Sequence, residues 1–350
     1  MTKWIAICLA AVILSVGVCY SAEVEFGGLL QIKYLAEQHK DSDISTRTAR
    51  LKGSVKLTDK IALMMTLEGA KEPNILDAQL DYTFAKYAVV RVGQFTLPFG
   101  FETSWSSFDI EAIDRSQLID HLLNNGVSTP YLRDAGVMGM GRHKVFEYKV
   151  ACVNGVGYNG GKDNNNYKDI VGRVGVGIPM FAGIGVSTYQ GKWPEQWINK
   201  DKKVVKVIPQ DRKAMGLDIY LDTGKLLFQM EYVRAQGLLK SHKEVVAPDT
   251  LDVAWSNDKY GGYYILLGYR VTPFLEPVFK YDRYDPNTDK KDDLLTDPNR
   301  NEKDDLLTDM YFGVNLNFEG KARLQVGYRM RDEATDKDNN QLLVQAGAKF

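Results

Sequence analysis

Apolar and polar residues alternate with a period of two along almost the whole chain, which predicts strands rather than helices. Phe26, Gly28, Leu30, Ile32 and Tyr34 share one face of a segment whose other face carries Glu25, Gln31 and Lys33. Ala49, Leu51, Gly53, Val55 and Leu57 oppose Arg50, Lys52, Ser54 and Lys56. Leu76, Ala78, Leu80, Tyr82 and Phe84 oppose Asp77, Gln79, Asp81 and Thr83, and Ala322, Leu324, Val326, Tyr328 and Met330 oppose Arg323, Gln325, Arg329 and Arg331. The closing stretch does the same, with Leu342, Val344, Ala346, Ala348 and Phe350 on one parity and Gln345, Gly347 and Lys349 on the other. Read in this way, the chain predicts about sixteen strands in one unbroken domain.

The connections sharpen the architecture. Tight turns at 58–60, 85–87, 142–144, 179–182, 222–224, 272–273 and 319–320 alternate with longer polar connections, the longest at 97–133, 191–210, 235–258 and 285–308. This is the layout of an up-and-down barrel with clipped turns and both termini at one end and long loops at the other. The predicted fold class is therefore all-β, a transmembrane antiparallel up-and-down β-barrel of about 16 strands with long extracellular loops, wide enough for an aqueous lumen. Its uncharged parity would face lipid, where a charge costs roughly 2–4 kcal/mol at the midplane. A soluble barrel with its polar face outward would alternate equally well, so other features must decide.

The N-terminus is one of them. Lys3, the apolar run Trp4–Tyr20 and the small pair Ser21-Ala22 before Glu23 follow the order of a secretory signal peptide. The expected division is 1–22 as signal and 23–350 as barrel. Cys8 and Cys19 would leave with the signal, so Cys152 alone remains and no intramolecular disulfide can form. A net charge of −1 gives no basic excess of the kind a nucleic-acid partner requires. The mean hydropathy of −0.28 looks soluble, but a barrel strand turns only every second residue to lipid and averages out as polar. The 19 Tyr, 14 Phe and 31 Gly fit many short strands with aromatic rims. The aromatic ending at Phe350 is similar to that of bacterial outer-membrane barrels.

Two blocks carry a more specific likeness. Ile75–Phe84 followed by Val90-Arg91-Val92-Gly93-Gln94-Phe95-Thr96-Leu97-Pro98-Phe99-Gly100-Phe101-Glu102, and then Tyr131-Leu132-Arg133-Asp134-Ala135-Gly136-Val137, resemble the phosphate-selective porin O and P family. The resemblance implies a sixteen-stranded pore in the bacterial cell outer membrane, usually a homotrimer surrounded by lipid, that passes small solutes, chiefly inorganic anions such as phosphate. The alternatives are a non-selective general-diffusion porin and, in another class, an outer-membrane enzyme or adhesin on a barrel scaffold.

On the inward parity cations outnumber carboxylates. Lys33, Arg50, Lys52, Arg91, Arg323 and Arg329 are the candidate pore-lining and anion-binding residues, since rings of Arg and Lys in a narrow bore favour anions. The opposite reading is that the two signs pair across strands and merely solvate the wall. In the 97–133 connection, Ile110, Ile113, Leu118 and Leu122 fall on one helical face and Asn124-Asn125-Gly126 would end the helix. Such a loop resembles the constriction loop of porins, with Asp109, Arg115 and Arg133 as eyelet candidates; a helix on the outer rim fits equally. The tandem stretch 285–296 and 297–308 differs only at Thr288/Arg300, Asp289/Asn301 and Lys290/Glu302. It lacks the Gly and the twelfth-position Glu of a calcium loop, so duplication in an exposed loop is the better reading. His39, His121, His143 and His242 have no Ser or Cys partner in a recognisable motif, so no catalytic, metal or cofactor site is expected.

Overall fold

The sheet closes on itself. A computed structural model describes residues 23–70, 72–124, 132–157, 166–199, 204–237, 243–247, 250–254, 259–286, 288, 306–333 and 339–350. The expected signal segment, most of the tandem repeat and the Asn125-Gly126 helix end lie outside them. The strands are β1 (Glu23–Glu37), β2 (Asp43–Lys56), β3 (Ile61–Glu68), β4 (Asn74–Ala85), β5 (Ala88–Thr96), β6 (Arg133–His143), β7 (Phe146–Val153), β8 (Asp169–Ile178), β9 (Ala182–Asn199), β10 (Val204–Asp222) and β11 (Leu226–Gln236). After them come β12 (Lys243–Ala247), β13 (Thr250–Ala254), β14 (Lys259–Tyr269), β15 (Leu275–Asp285), β16 (Leu307–Phe318), β17 (Ala322–Glu333) and β18 (Gln341–Lys349). Each barrel strand pairs antiparallel with its neighbours, β11 pairs directly with β14, and β1 pairs with β18 from Leu29↔Lys349 to Glu37↔Gln341. Setting aside the β12–β13 hairpin, the cycle is a closed barrel of 16 strands.

The outer face is apolar, as alternation requires. Phe26, Leu51, Phe84, Val150, Val176, Phe312 and Met330 are among many large apolar side chains turned outward. Beside the tight turns they join aromatic pairs such as Phe274–Phe318 and Tyr82–Phe84, with centroids 5.2 and 4.6 Å apart. The seam shows why glycine stands at position 28. Gly28 and Phe350 exchange backbone hydrogen bonds of 3.0 and 3.1 Å, and a Cβ on Gly28 would meet the Phe350 ring at 2.3 Å. Among the described residues no helix is long and apolar enough to cross a membrane; the crossing is made by strands.

Three expectations are corrected. Residues 191–199 and 204–210 are not irregular loop: β9 and β10 continue as a ribbon from Gly191↔Arg212 outward to Ile198↔Val204, and β9 pairs there with β13. Parity also slips at two bulges. Gln31 pairs with Thr48 but Ile32 with Thr46, so Arg47 is an extra residue and reaches inward. Thr66 pairs with Asp77 but Leu67 with Ile75, which leaves Leu76 fully buried instead of facing lipid. The lumen, finally, is not uniformly wet. Phe95, Leu97, Phe99, Met138, Val153, Tyr189, Val233, Tyr260 and Tyr284 form one apolar cluster against its wall, and Ile113, Tyr264, Leu266, Tyr311 and Leu343 belong to another.

Candidate functional site

The loop that follows β5 supplies one side of both clusters. It leaves the wall through a segment that only glycine permits at two points. Gly93 sits at φ 128°, where a Cβ would meet the Ala78 carbonyl at 2.1 Å; Gly100 sits at φ 73°, where a Cβ would meet Glu231 Oε1 at 2.1 Å. The turn at Gly100 aims the Phe101 and Glu102 amides at the Glu231 carboxylate, at 3.1 and 3.0 Å, while the Gly100 amide donates to Ser187 Oγ at 2.9 Å. A short 3-10 turn over Glu102–Ser104 follows. The loop then dips toward the tight-turn end, where Asp109 pairs with Lys349 at 2.6 Å, before it rises again. In this way it crosses the bore.

Residues 109–116 do not form the expected helix, and the wall explains why. Their carbonyls already have partners: Arg323 donates to the Phe108 and Ile110 oxygens, Asn315 and Gln325 to that of Glu111, Arg47 to that of Ile113 and Lys280 to that of Asp114. A carbonyl held by a wall side chain gains nothing by turning into a helix. The helix α1 is confined to Gln117–Asn124. Ser116 caps it through Oγ to the Ile119 amide at 3.3 Å, and Asp282 accepts from the Gln117 amide at 2.7 Å.

Charge fixes the rising limb. Asp114 meets Lys33 at 2.8 Å, Arg329 at 2.9 Å and Arg47 at 3.2 Å. Burial opposes its ionisation, but those three cations overcome it and hold the carboxyl well below the usual range. Glu111 is the contrary case. Buried against Gln229, whose Nε2 donates to it at 3.1 Å, its carboxyl is pushed up from 4.5 to about 7 by desolvation.

The predicted residues therefore divide into two groups. Lys33, Arg323 and Arg329 hold the loop and do not line the cavity beside β1–β5. Arg91 forms a two-pronged pair with Asp81, both contacts 2.8 Å, and also lies outside it. Arg50 and Lys52, with Asp109, Arg115 and Arg133, come together around a cavity of about 660 Å³ beside β1–β5. Arg133 is the first residue of β6 rather than part of the loop, and it pairs with Asp77 at 2.8 Å. Arg50 pairs with Glu68 at 2.8 Å. Arg115 donates to the carbonyls of Glu102 and Trp105, with the Glu102 carboxylate as its nearby opposing charge. Lys52 has no ion-pair partner among the described residues.

Four contributors were not among the candidate site residues. Lys321 and Lys349 also line the cavity, and Asp77 borders it as the partner of Arg133. Parity signalled Lys349 and Asp77, but Lys321 lies in a turn. Arg47 was hidden by its bulge.

The comparisons with known proteins agree with this architecture. A loop-deletion mutant of the outer membrane protein OmpT of Vibrio cholerae aligns over 95% of this chain and 100% of its own, with 16% identity and a TM-score of 0.64. An anion-selective porin from Comamonas acidovorans aligns over 94% and 99%, with 14% identity and a TM-score of 0.64. The outer membrane channel DcaP of Acinetobacter baumannii aligns over 94% and 97%, with 12% identity and the same TM-score. No curated protein sequence matches. The family model described as phosphate-selective porin O and P covers residues 24–350, so the chain belongs to that family and is an outer-membrane channel of the bacterial envelope.

Proposed function

We propose that the channel passes small anions, phosphate among them, by diffusion down their gradient through the cavity beside β1–β5. The observation that carries this reading is the lining of that cavity. Arg50, Lys52, Arg115, Arg133, Lys321 and Lys349 face it against Asp77 and Asp109. A low-dielectric wall concentrates the field of such an excess across the path. The family's description and the name of the Comamonas acidovorans porin support the same reading. The sequence up to residue 22 serves as the export signal in this account. The assembly is a homotrimer in lipid, supported by an OmpT structure of Vibrio cholerae described as a trimer form.

A general-diffusion pore is the second reading, favoured by the pairing of Arg50, Arg91 and Arg133 with neighbouring carboxylates. Phosphate titrated against chloride current separates the two. Block at low phosphate concentration that Lys52→Glu relieves supports anion binding in the passage. Undiminished chloride current favours the general pore.

A further inference from the structure

We propose that a recess under Trp105, carved into the inner wall of β8 and β9, is a second solute site for a small planar aromatic monocarboxylate. The recess holds about 280 Å³ and opens beside the Pro179-Met180 turn. It begins as a sequence pattern. Val174, Val176 and Ile178 on β8 and Ile184 and Val186 on β9 point outward, so Gly175, Gly177, Gly183 and Gly185 fall on the inward parity. Glycine weakens a strand interior, and a wall built for stability alone would carry side chains there. Here the missing side chains make the space. Gly183 does so directly, since a Cβ there would find no atom nearer than 3.6 Å; Gly185 instead leaves room for the Arg173 guanidinium, which a Cβ would meet at 2.3 Å where it reaches Asp218.

The roof is aromatic. Phe101 stacks on Tyr220 at 5.1 Å between centroids, and Trp105 sits 5.6 and 6.0 Å from the two. Half-buried rings at such separations offer a further ring the offset or edge-on partners that aromatic groups favour. The wall supplies the charge. Arg142, Lys149 and Arg173 line the recess against Glu147 and Asp218. Both carboxylates are engaged, since Arg173 meets Asp218 at 2.6 Å and Glu147 bonds Arg142 and Arg173. The Lys149 ammonium makes no hydrogen bond or ion pair among the described residues. A lining with three cations against two carboxylates, one of the cations without a hydrogen bond or ion pair among the described residues, suits a singly charged aromatic acid beneath the aromatic roof. Inorganic phosphate would leave the rings without a partner, and the volume suits a single ring.

The test is calorimetric titration of the purified full channel with sodium benzoate, cyclohexanecarboxylate and inorganic phosphate. Gly183→Leu fills the recess, and its Cβ finds only ordinary contacts at 3.6 and 3.8 Å, so the strand accepts it. Lys149→Gln removes the charge. Benzoate should bind at one site per chain and more tightly than cyclohexanecarboxylate, weaken about tenfold in Lys149→Gln and be lost in Gly183→Leu. Phosphate block of chloride current should persist in Gly183→Leu, because that block belongs to the other cavity. Benzoate heat unchanged by Gly183→Leu, equal binding of the saturated acid, or absence of benzoate binding to the unaltered channel would each overturn the proposal.

Discussion

Two sides of the same bore use the same residue types to opposite ends. Beside β1–β5, Arg50 and Lys52 border open space. Lys33, also on β1, and Lys280, Arg323 and Arg329 of β15 and β17 close instead onto the carboxylates and carbonyls of the crossing loop. The loop decides which is which. Where its backbone and acids reach the wall, a basic side chain becomes a tether; where it stands away, the same side chain is left facing open space. The sign of a wall residue is therefore a poor guide to selectivity until the path of the loop is known.

The sharpest way to break this division is at Asp114, which serves three cations at once. Asp114→Asn leaves a mostly buried cation cluster without its carboxylate, at a cost on the order of 3 kcal/mol. The loop should undock and single-channel conductance should rise several-fold. Conductance at the unaltered level would mean that the ion pairs do not hold the loop. Next in size is Lys52→Glu. Two charge units across a watery bore amount to about 1 kcal/mol, a several-fold change in the chloride-to-potassium permeability ratio. Arg329→Gln, on the tethering side, should shift that ratio much less, and equal shifts would erase the contrast.

A pH effect should be smaller still. Glu111 is held neutral by burial, with its carboxyl raised from 4.5 to about 7. Between those values the docked loop binds more protons than a released one, so docking is strongest below pH 4.5 and weakens as pH rises through about 7. Open-channel current noise should grow over that window, and Glu111→Gln should flatten the profile. The smallest effect is expected for Arg91→Gln. The Arg91–Asp81 pair is partly exposed and lies away from the cavity, so thermal unfolding should change by under about 1 kcal/mol with no shift in reversal potential.

The barrel was legible because alternation is a property of every strand, and lipid on one side enforces it. Leu51, Phe312 and Met330 lie where parity put them. Arg47 and Leu76 do not, because a single bulge residue inverts parity locally and leaves no mark in the pattern. The lining of the candidate cavity was half legible. Parity brought Arg50 and Lys52 to the right wall, but it could not separate them from Lys33 or Arg329, whose partners come from a loop crossing the lumen. The loop itself misled for a physical reason. Ile110 and Ile113 have helical spacing, yet the carbonyls of Ile110, Glu111, Ile113 and Asp114 accept from side chains of β2, β15, β16 and β17 rather than from amides four residues on.

The reversal potential of the purified channel in a potassium chloride gradient tests the central claim most directly. If the residual opening is the basic cavity beside β1–β5, the potential should take the sign of an anion-favouring pore, and Lys52→Glu should move it toward cations. A cation-favouring or near-zero potential that Lys52→Glu leaves in place would contradict the account.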